Sequence, residues 1–148
     1  MSYQYPCEYL SNYDGDTVKV RIDLGFKMYH DITVRIAGID TAELRGGSKE
    51  LKAYARIARD VVKAWCEKHA PLTYSSHSWN GKYGRSLGDL FYVDENDTPQ
   101  YLTEYLLKHY LAEEYQGGSR KEINQRHERN MELFYAKSYD AVYDELEF

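Results

Sequence analysis

Two aspartates stand one residue apart in the segment YDGDTVKV, residues 13–20. Asp14 and Asp16 flank Gly15 where a β-strand pattern begins, and carboxylates this close repel each other. The simpler interpretation is a hairpin turn, because Asp-Gly is among the strongest hairpin signals. The alternative is a metal site, because a divalent cation would turn the repulsion into a shared attraction.

A second polar cluster lies in VRIAGIDTAE, residues 34–43. Arg35 interrupts an otherwise apolar strand, and a buried guanidinium is costly unless an anion pairs with it. Asp40, Thr41 and Glu43 follow within four residues at the end of that strand. A capping role would explain Asp40 or Thr41, but it would not explain an arginine inside the strand with carboxylates at its exit.

The third cluster is the basic turn GKYGR, residues 81–85. A glycine-flanked turn of this kind is typically a solvated loop, but Arg85 stands where the next strand begins and is placed to point toward Arg35. Carboxylates are the hard oxygen ligands that a small divalent cation selects. Two guanidiniums can hold a phosphate by forked hydrogen bonds, and a remaining carboxylate can activate a water. The three clusters together indicate metal-assisted phosphoryl chemistry.

The elements that position these clusters follow from the spacing of apolar residues. CEYLSNY, TVKVRIDLG and YHDITVRIAGID are predicted as three strands, and LTYSSHS and SLGDLFYV as two more around the turn NGKYGR. Apolar residues at three- and four-residue steps predict a helix over 48–69, with Ser48 as its N-cap. Thr98 followed by Pro99 predicts a second helix that ends near Tyr110, and a third is expected over about 120–143.

Five short strands with a helix inserted after the third predict an α+β fold, a five-stranded OB-type β-barrel with three helices. With 148 residues, 43% of them hydrophobic, and no repeat or linker, we expect one domain over residues 1–148. No apolar run approaches the roughly 20 residues that cross a bilayer, so no membrane partner is expected. The N-terminal segment MSYQYPCEYL shows no secretory signal, which favours a cytoplasmic protein.

The three polar clusters also resemble a known family. YDGDTVKV, VRIAGIDTAE and KYGRSLGDLFYVD are similar, in order and in spacing, to three motifs of the staphylococcal nuclease (thermonuclease) family, and the similarity extends over roughly residues 7–140. The resemblance implies an OB barrel with three helices that uses Ca²⁺ to cleave DNA and RNA. It implies attack of water on phosphorus with expulsion of the 5′-oxygen, which leaves a 3′-phosphate.

The same resemblance implies a metal site. Asp16 and Asp40 match the metal-binding carboxylates, and Thr41 matches the residue that lends its backbone carbonyl. Asp14 matches an acidic position that supports the metal site without being a clear ligand. Ala42 is a departure, because the family usually has a proline at this position and the turn here loses a fixed φ angle.

The resemblance further implies catalytic and substrate-binding residues. Arg35 and Arg85 match the two phosphate-binding arginines, and Glu43 matches the general base or water organiser. Tyr83 and Tyr115 fall near aromatic residues that contact the nucleotide.

Two functions are therefore open at this stage. The first is a calcium-dependent nuclease that acts as a monomer on DNA or RNA and prefers single strands, which enter a pocket at the edge of a barrel more easily than a duplex. The second is a noncatalytic OB-fold module that binds single-stranded nucleic acid through aromatic and basic side chains. A structural or inhibitory protein that retains only the barrel is the third and least specific interpretation. The formal net charge of −5 makes phosphate binding weak or salt-sensitive in either functional case.

Overall fold

Strand β2 shows how the apolar pattern becomes a barrel wall. Val18, Val20 and Ile22 are buried, whereas the residues between them are exposed. This alternation is what a strand with one face toward the core requires, and it confirms the prediction for this segment.

The computed structural model describes residues 3–80 and 84–148. The strands run, in chain order, β1 Tyr3–Asn12, β2 Thr17–Asp23, β3 Tyr29–Ile36, β4 Ile39–Asp40, β5 Leu72–Asn80, β6 Arg85–Val93, β7 Pro99–Tyr101 and β8 Glu113–Glu114. The helices are α1 Lys49–Lys68, α2 Leu102–Lys108, α3 Arg120–Lys137 and α4 Tyr139–Leu146. Among the described residues, none of the helices has the length and apolarity needed to cross a membrane.

Five of the strands close into a barrel. The sheet order is β3-β2-β1-β5-β6, and a parallel pairing of β3 with β6 joins the two ends. This arrangement confirms the predicted α+β fold with an OB-type barrel. The closing pairs include Arg35 with Leu87, so that Arg35 on β3 lies beside the first residues of β6, where Arg85 stands.

Helix α1 covers the barrel much as its spacing predicts. The side chain of Ser48 accepts a hydrogen bond from the Leu51 N–H at 3.1 Å, which is the predicted N-cap. The apolar stripe of α1 is buried and consists of Leu51, Tyr54, Ala55, Ala58, Val61, Val62, Trp65 and Cys66. These residues join the core formed by the inner faces of β2 and β3.

The second predicted helix starts later than expected. Pro99–Tyr101 forms strand β7 instead, because its backbone pairs with β6 in a register that sets Phe91 opposite Tyr101. Thr98 lies in the turn between these strands, where its N–H donates to the Asp94 carboxylate at 2.9 Å. The local signals for a helix start are present at 98–99, but pairing with a neighbouring strand overrides them.

The last predicted helix is two helices, so the described residues contain four helices and not three. Helix α3 ends at Lys137, and the chain changes direction at Ser138, which has φ −125° and ψ −14°. The buried Ser138 hydroxyl lies 3.3 Å from His109 Nδ1. Helix α4 then buries Val142 and Leu146.

Candidate active site

Four separate chain segments meet at one cleft of about 320 Å³. They are the turn between β1 and β2, the end of β3, the end of β4 with the residues that follow it, and the start of β6. The barrel brings them together because Thr17 on β2 pairs with Arg35 on β3, and β3 pairs with β6. The cleft is lined by Tyr13, Asp14, Asp16, Thr17, Arg35, Asp40, Thr41, Glu43, Leu44, Arg45 and Arg85.

The β1–β2 turn is fixed against the segment that follows β4. A Cβ atom on Gly15 would lie 2.7 Å from Thr41 Cγ2 and 2.9 Å from Thr41 Oγ1, so a residue with a side chain would push the two segments apart. The Thr41 N–H also donates to Asp16 Oδ2 at 3.0 Å. The glycine between the two aspartates therefore permits a close approach that brings Asp16 to Asp40 and Thr41.

Arg35 links the two candidate metal-binding aspartates. Its Nη2 lies 2.7 Å from Asp40 Oδ1 and 3.5 Å from Asp16 Oδ2. The two carboxylate oxygens are therefore at most about 6.2 Å apart, the sum of these two distances. Its Nη1 donates to the backbone carbonyls of Ile36 and Ile39 at 2.8 and 2.9 Å. The Arg35 side chain is only 16% exposed, and these partners explain how a guanidinium is accommodated inside the strand.

The carboxylates of the cleft carry unfavourable negative charge. Burial raises the pKa of Asp14 to about 7, and the neighbouring charge of Asp16 acts in the same direction. Burial also raises the pKa of Asp40, although the charge of Arg35 opposes this effect. A bound cation would favour the ionised form of both side chains.

The oxygen atoms present in the cleft suit a hard divalent cation. The carboxylates of Asp16 and Asp40 and the backbone carbonyl of Thr41 are of the type that Ca²⁺ binds. Thr41 Oγ1 is buried and makes no hydrogen bond to any described residue, so the cleft also holds a polar atom without a protein partner. Within residues 3–80 and 84–148, no group of three His, Cys, Asp or Glu side chains is arranged to hold a metal. A cation here would therefore depend on two carboxylates, the carbonyl and water.

Glu43 and Arg85 both line this cleft. Glu43 is solvent-exposed, and its Oε2 forms an ion pair with Nη1 of Arg120, the first residue of α3. Arg85 is half-buried as the first residue of β6. The two predicted phosphate-binding arginines thus line the cleft that also contains the candidate metal ligands.

The two predicted substrate contacts, Tyr83 and Tyr115, differ in what the structure describes. Tyr83 lies outside the described residues. Tyr115 follows β8, is 64% exposed and donates its N–H to the Gly38 carbonyl at 2.9 Å, but it does not line the cleft. Of the eight predicted site residues that the structure describes, seven therefore line the same cleft, and the roles of all nine stay predictions.

The structure adds residues that the sequence reasoning missed. Tyr13 lines the cleft and is 61% exposed. Its position directly before Asp14 is the sequence feature from which its place in the cleft could have been predicted. Arg45 also lines the cleft and is exposed. No local pattern pointed to Arg120, which is 77 residues from Glu43 in the sequence.

Comparison with known proteins is consistent with this geometry. The model of the staphylococcal nuclease homologue family matches residues 33–140, and no curated protein matches the chain. The matched segment contains Arg35, Asp40, Glu43 and Arg85. The matched segment does not include the Asp14–Asp16 turn. In the folded barrel this turn lies in the same cleft as the matched residues.

Proposed function

The chain belongs to the staphylococcal nuclease homologue family, and we propose that it is a calcium-dependent nuclease that hydrolyses phosphodiester bonds of DNA or RNA to give 3′-phosphate ends. Membership of the family by itself supports a nuclease-like or nucleic-acid-binding domain. The observation that carries the narrower proposal is one cleft lined by Asp16, Asp40, Arg35 and Arg85 together. A module that only binds nucleic acid would not need metal-binding carboxylates beside two phosphate-binding arginines.

The carboxylates of Asp16 and Asp40 and the Thr41 backbone carbonyl would hold the proposed cation, with Asp14 as a supporting charge. When bound, Ca²⁺ supplies positive charge that stabilises the phosphorane-like transition state and orients water. Arg35 Nη2 contacts both Asp16 and Asp40 in the structure. If those carboxylates held a cation instead, Nη2 would be free to donate to a phosphate oxygen.

The protein groups complete the proposed reaction. Arg35 and Arg85 bind the non-bridging oxygens of the scissile phosphate and stabilise the charge that builds up on them. Glu43 accepts a proton from the attacking water as the new P–O bond forms. The bond from phosphorus to the 5′-oxygen breaks, this oxygen takes a proton from solvent water, and Glu43 returns its proton to solvent. The products are a 3′-phosphate and a 5′-hydroxyl.

The substrate is proposed to be a flexible single strand. The cleft lies at the edge of the barrel among loops and strand ends, and a phosphodiester reaches it more easily when the strand is unpaired. Tyr13 offers an exposed ring at its rim on which a base can stack. The formal charge of −5 means that binding of long polymers depends strongly on salt.

The test is incubation of denatured DNA with the wild-type protein, Glu43→Gln and Glu128→Gln, each with Ca²⁺ and with a chelator. Glu128 is an exposed residue of α3 and serves as a control for loss of one carboxylate. We expect cleavage that requires Ca²⁺, products whose ends are 3′-phosphates, unchanged activity in Glu128→Gln and a loss of about 100-fold or more in Glu43→Gln. Retarded migration of intact DNA, without cleavage, would show a binding module and refute the nuclease proposal.

A further inference from the structure

We propose that Arg120 is a third phosphate-binding residue, which Glu43 holds in the substrate-free protein and which the arriving strand takes over. The inference rests on the proposed nuclease function and extends it, because it couples release of the general base to the binding of a polymer. The strand phosphate next to the scissile one replaces the Glu43 carboxylate as the partner of Arg120. Both oxygens of Glu43 then become available to the attacking water.

The contact that carries this inference joins two distant parts of the chain. Arg120 Nη1 and Glu43 Oε2 form an ion pair. Arg120 is the first residue of α3, directly after the N-cap Ser119, whose side chain accepts a hydrogen bond from the Glu122 N–H at 3.2 Å. Since Glu43 lines the cleft, the Arg120 guanidinium reaches the edge of the cleft.

The ion pair can be exchanged at little cost. The side chains of Arg120 and Glu43 are 65% and 55% exposed, and solvent screens a pair of this kind so that it contributes little to stability. A phosphodiester presents paired oxygens to a guanidinium much as a carboxylate does. A phosphate brought close by the Arg35 and Arg85 contacts therefore competes directly with Glu43.

A neighbouring arginine on the same helix shows what a structural pair looks like here. Arg126 Nε lies 3.1 Å from Glu113 Oε1, with side chains only 16% and 12% exposed, and Arg126 also donates to the Gly117 carbonyl. This pair ties α3 to β8 and is largely shielded from solvent, so its charges are screened much less than those of the exposed pair. Helix α3 therefore has a buried anchor, and docking of the helix does not explain the exposed pair of Arg120.

The first experiment compares substrates with and without a second phosphate. Thymidylyl-thymidine has one phosphodiester, whereas a single-stranded oligothymidylate has neighbours on both sides. We expect Arg120→Ala to raise KM for the oligonucleotide about five- to tenfold, with kcat changed less than about twofold. It should leave kcat/KM for the dinucleotide unchanged or raise it, because the base is then free. Arg120→Lys should retain part of the affinity.

The matched control is Arg129→Ala, which removes the same charge from an exposed position of the same helix. The slope of log(kcat/KM) for the oligonucleotide against log salt should become shallower by about 0.7 in Arg120→Ala and change less in Arg129→Ala. Equal effects of the two variants would overturn the inference. So would an equal fall in kcat on both substrates in Arg120→Ala, since that result would mean that Arg120 only orients Glu43.

A binding cycle separates this inference from the catalytic proposal. Oligothymidylate affinity is measured by fluorescence anisotropy in chelator for wild type, Glu43→Gln, Arg120→Ala and the double variant. We expect Glu43→Gln to tighten binding, and the tightening to be at least about threefold smaller when Arg120 is absent. Equal tightening in both backgrounds would refute the exchange, whatever the nuclease assay shows. A protein that shows the coupling but never cleaves DNA would refute the proposed function alone.

Discussion

Replacing Asp14 by asparagine should stabilise the metal-free protein at neutral pH. Burial and the charge of Asp16 raise the Asp14 pKa to about 7 in the folded state, against an ordinary value of 3.8 for an aspartate. Below pH 4 the carboxyl group is protonated in both the folded and the unfolded chain. Between about pH 4 and 7 the folded protein retains a proton that the unfolded chain loses, so the free energy of unfolding falls as the pH rises through this window.

The size of the effect follows from the shift. A difference of about 3 pKa units corresponds to about 4 kcal/mol if it is fully expressed. Asp14 is only partly buried, and solvent screens part of its repulsion from Asp16, so we expect about 1–2 kcal/mol. Asparagine keeps the shape of the side chain and removes its charge. The increase in the free energy of unfolding of Asp14→Asn over wild type should therefore be present at pH 8 and absent at pH 4.

The assay is urea unfolding in chelator at pH 4, 6 and 8. Burial raises the pKa of Asp89 to about 6, but Asp89 is present in both proteins and its contribution cancels in the difference. Asp94→Asn is the control, because hydrogen bonds from Thr98, Gln100 and Asn96 lower the pKa of Asp94. This substitution should therefore reduce the free energy of unfolding at pH 8, the opposite of the effect expected for Asp14→Asn. A difference between Asp14→Asn and wild type that is independent of pH, or that grows toward pH 4, would refute the reasoning.

Three further predictions concern the cleft. Gly15→Ala should lower the free energy of unfolding by about 1–3 kcal/mol, measured in urea, and weaken Ca²⁺ binding by calorimetry, because its Cβ would lie 2.7 Å from Thr41 Cγ2. Arg85→Ala should leave Ca²⁺ affinity within about twofold of wild type but lower kcat on denatured DNA about 10³-fold. Asp40→Asn, in contrast, should abolish tight Ca²⁺ binding. An equal loss of Ca²⁺ affinity in both variants would contradict the assigned roles. Tyr13→Ala should raise KM for single-stranded DNA several-fold at constant kcat, as expected for about 1 kcal/mol of base stacking.

The barrel wall and the first helix are predictable because each has one face in the core. The alternation in β2 and the three- and four-residue steps in α1 both place apolar side chains on the buried side. The polar clusters are equally visible in the sequence, because each lies within a predicted strand or at one of its ends. Arg35 in particular required an anionic partner, and Asp40 provides it at 2.7 Å.

The remaining features depend on contacts that a local pattern does not contain. Phe134 and Val142 are eight residues apart and both buried, so the apolar spacing continues across Ser138 although the helix stops there. Pro99 has the local context of a helix start and is drawn into β7 by pairing with β6. The pair of Arg120 with Glu43 joins residues 77 positions apart, which only the closed fold brings together.

The charges of the cleft connect the metal proposal to the acidity of the whole chain. Four carboxylates and three guanidiniums line it, from Asp14, Asp16, Asp40 and Glu43 and from Arg35, Arg45 and Arg85. With all of these groups ionised, the cleft carries one net negative charge, which weakens the binding of phosphate by the arginines. A divalent cation reverses that sign, because it leaves one net positive charge beside the arginines. An acidic protein can therefore bind a nucleic-acid phosphate more tightly at this cleft once the carboxylates hold a cation.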